Sequence, residues 1–232
     1  LLLHHLHVQL RARPAATREQ GKGGPSLRGP GGASIFVLLA TARNDLVRMA
    51  QLLDATPSLV NFSDYDRRTP LHVAALYGRA RIVEILVQDG GVDVDTLSAD
   101  NATALCIAVE RGFVRTTQSL IRLGANTNVA CDGETPLVRA WKATIADELL
   151  RHGADVHARD ARVNYTGYTA LLHAAAQGNV DVVRSLLKAG ADIEAKCDVR
   201  GNAPLYGAAV NNHPKVVEVL LAHGAEVSPV NN

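Results

Sequence analysis

Nine histidines and three cysteines are the side chains of this 232-residue chain that could ligate a metal or pair as nucleophile and base. Their spacing suits neither task. Cys106, Cys131 and Cys197 form no CxxC pair and stand at no Cys/His zinc spacing. His4, His5 and His7 are followed by no further ligand at a useful distance. No GxGxxG follows a strand, and there is no P-loop, HExxH or GxSxG. The chain is therefore expected to be no enzyme and to hold no cofactor, metal or small-molecule substrate. His152 and His223 each precede a glycine, where a cation suits a helix C-terminus. His173 and His213 are expected on the surface. An odd, sparse cysteine set argues against a disulfide framework and for a reducing compartment, the cytoplasm or nucleus.

Composition points to what must position such residues. The chain is 47% hydrophobic but only 4% aromatic, which suits closely packed helices with a small and aliphatic core. No run of 18 apolar residues is present, so no membrane-spanning helix is expected. Residues 1–33 are rich in Gly and Pro and carry Arg11, Arg13, Arg18, Lys22 and Arg28 against Glu19, a net +4. They read as a disordered basic tail or linker. With a total of +1, residues 34–232 carry −3, which speaks against nucleic-acid binding. The chain opens on Leu1 and its one methionine is Met49, so a piece of a longer protein is expected.

From Ile35 onward the sequence repeats itself. Thr69-Pro70-Leu71-His72, Thr103-Ala104-Leu105-Cys106, Thr135-Pro136-Leu137-Val138, Thr169-Ala170-Leu171-Leu172 and Ala203-Pro204-Leu205-Tyr206 start 34, 32, 34 and 34 residues apart. A glycine-led turn follows each, as at Gly124-Ala125-Asn126 and Gly190-Ala191-Asp192. Thr and Pro start a helix, Gly78, Gly112 and Gly178 end it, and a second helix carries runs such as Ile82, Val83 and Leu86. One such helix pair cannot bury both apolar faces, but a stack of them can. Six units are expected, at about residues 35–64, 65–98, 99–130, 131–164, 165–198 and 199–232, within a domain of residues 34–232.

These units resemble the ankyrin repeat family, with Asp66 to Gly78 and Thr169 to Asp192 matching its pattern best. The resemblance implies an all-α solenoid of antiparallel helix pairs with projecting β-turn fingers, the fingers and first helices forming a concave face. It also implies a protein-interaction module, a scaffold or adaptor whose partner is another protein. The alternative is a docking or regulatory segment of a larger enzyme or channel. The family's variable contacts come from the fingertips and late first-helix positions. Unit two then offers Tyr65, Asp66, Arg68, Leu76 and Tyr77, and unit three Asp100, Glu110 and Arg111. Unit four offers Asp132, Glu134 and Lys142; unit five Tyr165, Thr166, Tyr168 and Gln177; unit six Arg200, Asn202 and Asn211. Tyr77 and Tyr168 would be aromatic anchors flanking a charged middle, unless the tyrosines brace neighbouring fingers instead.

Departures from the pattern carry their own expectations. Only His72 keeps the family's histidine, and Cys106 in that place reads as a small core residue. Cys131 and Cys197, two units apart, should lie about 20 Å from each other, since stacked helices are about 10 Å apart, beyond the reach of a disulfide. Unit four has 18 residues from Thr135 to Gly153 where its neighbours have 21, which should shorten the turn between its helices. Trp141 stands where a small residue packs, so either the helices shift or the ring turns outward, as a packing defect or as a binding anchor. The apolar last helix, Pro214–His223, has few polar positions for an outer face, so a further repeat and a fraying or self-associating end are expected.

Overall fold

A computed structural model describes residues 30–162, 165, 167–198 and 201–227. Among these, six helix pairs follow one another. They are α1 (Pro30–Arg43) with α2 (Leu46–Ala55), α3 (Pro70–Leu76) with α4 (Ala80–Gln88), and α5 (Ala104–Glu110) with α6 (Val114–Arg122). Then come α7 (Pro136–Arg139) with α8 (Ala143–Arg151), α9 (Ala170–Gln177) with α10 (Val180–Lys188), and α11 (Pro204–Val210) with α12 (Pro214–Ala222). α1 begins at Pro30, inside the stretch read from composition as tail. Proline suits a first helical position, and the burial of Val37 and Ala40 outweighs the poor helix propensity of Gly31 and Gly32.

Each first helix packs on the next first helix, from α1 to α11. Each second helix from α4 onward packs on the next second helix. Ala74 and Ala75, Ala108 and Val109, Ala174 and Ala175, and Ala208 are buried in the first row, where small side chains let backbones approach. Ile82, Val83 and Leu86 fill the second row, as do Ile145, Ala146 and Leu149, and Val182, Val183 and Leu186. The core is thus a continuous line. α6 departs from this, with Thr116, Thr117 and Ser119 in buried places.

No strand is present among the described residues; backbone hydrogen bonds close the fingers, with isolated bridges between Cys131 and Glu134 and between Arg159 and Thr169. Asp64 N–H donates to Arg68 O at 3.1 Å, Ser98 N–H to Ala102 O at 3.0 Å, and Cys197 N–H to Asn202 O at 3.2 Å. Finger four is tighter, Cys131 N–H to Glu134 O at 2.7 Å, and finger five is longer, Asp160 N–H to Tyr168 O at 2.7 Å.

Unit four corrects the sequence expectation. The missing residues come out of the first helix, not the turn between helices. α7 is only four residues, against seven in α3, α5 and α11. Ala140 and Lys142 are extended, at ψ 105 and 128°. The indole of Trp141 has turned outward and is 47% exposed. It lies over Gly112, whose φ is +70° and whose missing Cβ would stand 2.5 Å from the ring. Only glycine satisfies both demands.

Candidate protein-binding face

The groove between fingers and first helices gathers most of the residues read from sequence. Tyr65 is fully exposed, Tyr77 and Tyr165 are about half exposed, and Asp66, Asp100, Glu110, Arg111, Asp132, Gln177 and Asn211 are exposed. Arg68, Leu76, Lys142 and Tyr168 are half-buried. Glu134 and Asn202 are buried, so neither stands free on the face as sequence reasoning had it. Thr166 and Arg200 lie outside the described residues.

Ion pairs tie finger to finger. Arg68 lies 3.3 Å from Asp66 and 3.5 Å from Asp100 of the next finger. Arg139 donates to Glu110 at 2.9 Å and to Cys131 O at 2.7 Å, and its Nε lies 3.0 Å from Glu134. Arg162 of the long finger pairs with Glu134 and with Asp160, the latter at 2.8 Å. Arg159 donates to Asp198 at 2.9 Å. Exposed pairs of this kind add little stability singly; here they hold neighbouring fingers in register.

The centre of this network is buried. Asp160 accepts from the Arg162 backbone and side chain and from His173 Nε2, 3.1 Å away. Burial pushes the Asp160 carboxyl up, but the Arg162 hydrogen bonds and charge, helped by His173, hold it below its ordinary value. Burial pushes Glu134 up against the pull of Arg139 and Arg162. Burial also lowers His173, opposed by Asp160. His173 was expected on the surface. Instead Tyr165 and Tyr168 cover it, ring centroids 5.4 and 5.1 Å away, because the long finger folds back over α9. Tyr168 thus braces the finger, and Tyr165 carries the exposed ring. His213, likewise expected on the surface, is half-buried with Nε2 3.0 Å from Ala176 O.

Glu134, Asp160 and His173 place one ligand atom each within 4.8 Å of the others, the donor set of a metal site. Arg162 lies on both carboxylates and Arg139 on Glu134, so arginine already supplies the positive charge there. The trio reads as a structural knot, which sequence reasoning missed because it depends on where the long finger folds.

A second correction concerns cysteine. Cys106 and Cys131 are joined by a disulfide, with Cα atoms 6.5 Å apart, while Cys197 is a buried free thiol. The sequence signal was there in His72. Its Nδ1 accepts from Thr69 N–H at 3.1 Å, and its Nε2 donates to Thr96 O and Ala102 O of the next finger, at 3.0 and 3.1 Å. Cys106 occupies the same place one unit on and therefore faces the next finger's base, where Cys131 stands. The bond removes the cysteine argument for a reducing compartment. No described helix is long and apolar enough to cross a membrane.

Six stacked pairs, finger turns and a buried Thr–His tie together decide the relationship, and the comparisons agree. Models of ankyrin repeats in three and in many copies match residues 90–160, 142–231 and 52–108. The chain belongs to the ankyrin repeat family. It is 30% identical over 234 residues to the B-cell lymphoma 3 protein homolog of Mus musculus, covering 94% of this chain and 51% of that protein. It is 31% identical over 203 residues to the putative palmitoyltransferase ZDHHC13 of Danio rerio, covering 84% of this chain and 30% of that one. The chain thus spans about half, or less, of these relatives' length. The human ASB11 ankyrin repeat domain superposes with a TM-score of 0.75 at 24% identity, covering 88% of this chain and 87% of that structure. That likeness shows the fold.

Proposed function

We propose that this ankyrin stack is a protein-interaction module that takes its partner along the fingers and first helices. One observation carries the reading. Tyr65, Tyr77, Trp141 and Tyr165 are 106, 48, 47 and 43% exposed, and all belong to fingers or first-helix ends. Large aromatics left in water are the residues from which interface anchors are made. The ion-paired fingers give them a preorganised support, which lowers the ordering cost of binding.

The test is capture by the whole chain with cross-linking, comparing Tyr77→Ala and Tyr165→Ala with Arg115→Ala and Arg184→Ala on the second helices. The finger-side changes should each weaken capture of the same partner by about 1–3 kcal/mol, and the second-helix changes should not. The reverse pattern removes the reading. A second reading, that the chain is a docking or regulatory segment of a larger enzyme or channel, is favoured by its similarity to part of a putative palmitoyltransferase. It uses the same face and is tested by whether deleting the stack from the parent protein alters that protein's activity or its location.

A further inference from the structure

The row of first helices and the row of second helices both thin out at one junction, between units three and four. α7 has four residues where α5 has seven, so unit four offers unit three about one turn of helix instead of two. In the other row, the place filled by Val83 in α4 and Val183 in α10 holds Thr117 in α6 and Ala146 in α8, all fully buried. Thr116 likewise takes the place of Ile82, Ile145 and Val182. Hydroxyls and a lone methyl bury less apolar area than branched aliphatic side chains, so this junction gains less from packing than its neighbours. The Thr117 hydroxyl, buried without a hydrogen-bond partner, takes away more. A stack is held by nearest-neighbour contacts, and it parts where they are weakest.

A covalent bond crosses this same junction. Cys106 belongs to the first helix of unit three and Cys131 opens finger four; both are fully buried, and a disulfide joins them. The tie runs on from finger four. Arg139 donates to Cys131 O at 2.7 Å, and Ala161 N–H of finger five donates to Gly133 O at 2.9 Å. Other ties across the junction are polar. Arg139 donates to Glu110 at 2.9 Å, Trp141 Nε1–H to Glu110 O at 3.0 Å, Lys142 Nζ to Gly112 O at 2.8 Å and Asn128 Nδ2 to Gly153 O at 2.9 Å. Water can replace bonds of this kind at little net cost.

We propose that the Cys106–Cys131 bond is a redox latch on a hinge between units three and four. A dithiol reductant releases it. One thiolate of the reductant attacks a sulfur of the pair and displaces the other cysteine; its second thiol then closes the reductant's own disulfide and frees the first. Two electrons and two protons pass to Cys106 and Cys131, and the dithiol is oxidised. The reduced stack opens at the junction, finger four and α7 parting from α5, so the finger-side face runs unbroken only in the oxidised chain. This goes beyond the protein-binding reading and does not depend on it.

Hydrogen exchange of the whole chain, with and without a dithiol, tests the latch. Reduction should speed exchange in residues 131–151 by about tenfold or more and leave α3, α4 and α10 unchanged. Cys106→Ala with Cys131→Ala should show the fast pattern in either buffer; if that variant does not fold, the wild-type chain reduced in place carries the test. The course of reduction separates a hinge from general unfolding. Both sulfurs are buried, so the dithiol reaches them only in an opened state. Opening at a hinge exposes little surface, and the rate of reduction should then hardly change in dilute urea. A rate that climbs steeply with urea, acceleration spread evenly over all helices, or no acceleration overturns the proposal. Alkylation of Cys106 and Cys131 before reduction overturns it as well.

Discussion

Thr117 is fully buried in α6, at the position that Val83 holds in α4 and Val183 in α10, and its hydroxyl has no hydrogen-bond partner. An unmade hydrogen bond at a buried hydroxyl costs about 1–3 kcal/mol. Thr117→Val keeps the shape and removes the orphan. It should stabilise the chain by about 1 kcal/mol, read as a higher denaturant midpoint with an unchanged slope; a lower midpoint would mean that the hydroxyl is satisfied. The cysteines give a second residue-scale test. Alkylating the denatured, unreduced chain should block only Cys197, and reduction should expose Cys106 and Cys131. Three blocked thiols before reduction contradict the bond. Histidine gives a third. Burial lowers both His72 and His173 below the ordinary imidazole value. The unfolded chain then binds more protons than the folded one as pH falls below about 6.5. Stability from these rings is full above that pH and is lost on acidification toward their folded values. Thermal unfolding should therefore drop between pH 7.5 and 6, above the carboxylate range, and drop less in His72→Asn. An equal drop in both rules out His72 as a source.

At the scale of elements, the helices were legible and their exceptions were not. Thr69, Thr103 and Thr169 begin first helices where the Thr-led runs placed them, and the 34-residue spacing fixed which residues stack. The deletion in unit four could be counted from sequence but not located. Pro136 to Ala140 keeps the residue types of a first helix, and only the packing of Trp141 on Gly112 shows that the helix ends after Arg139. The buried pair Asp160 and His173 was hidden for a similar reason, since a linker's length says nothing of where it folds back. α7 has one turn, and Thr135 Oγ1 beside it is buried without a partner. Isolated helical turns have no stability of their own. Amides of residues 137–142 should therefore exchange with solvent sooner than their counterparts in α5 and α9. Equal protection across the three first helices would show that the indole and the Arg139 bonds replace what the missing turn supplied.

Across the whole molecule, stability in a stack is shared between neighbours, and an end unit has only one. The last described unit shows what that leaves. Tyr206 is 41% exposed, Val210 63%, Leu221 43% and Val227 77%, whereas Leu172, which holds the place of Tyr206 one unit earlier, is 2% exposed. The positions that one unit offers to the next are therefore apolar and open at this end, and contiguous apolar surface on a soluble chain favours association. For this chain on its own, sedimentation should show mass rising with concentration, and hydrogen exchange should run faster in α11 and α12 than in α9 and α10. Leu221→Lys with Val227→Lys should suppress the association without altering finger-side binding, because neither residue lies on a first helix or in a finger. A chain that stays monomeric at high concentration, with α12 protected as strongly as α10, would mean that the last unit closes its own face. If association persists in the double variant, the contact lies elsewhere, and the exposed aromatics of the finger side become the surface to change next.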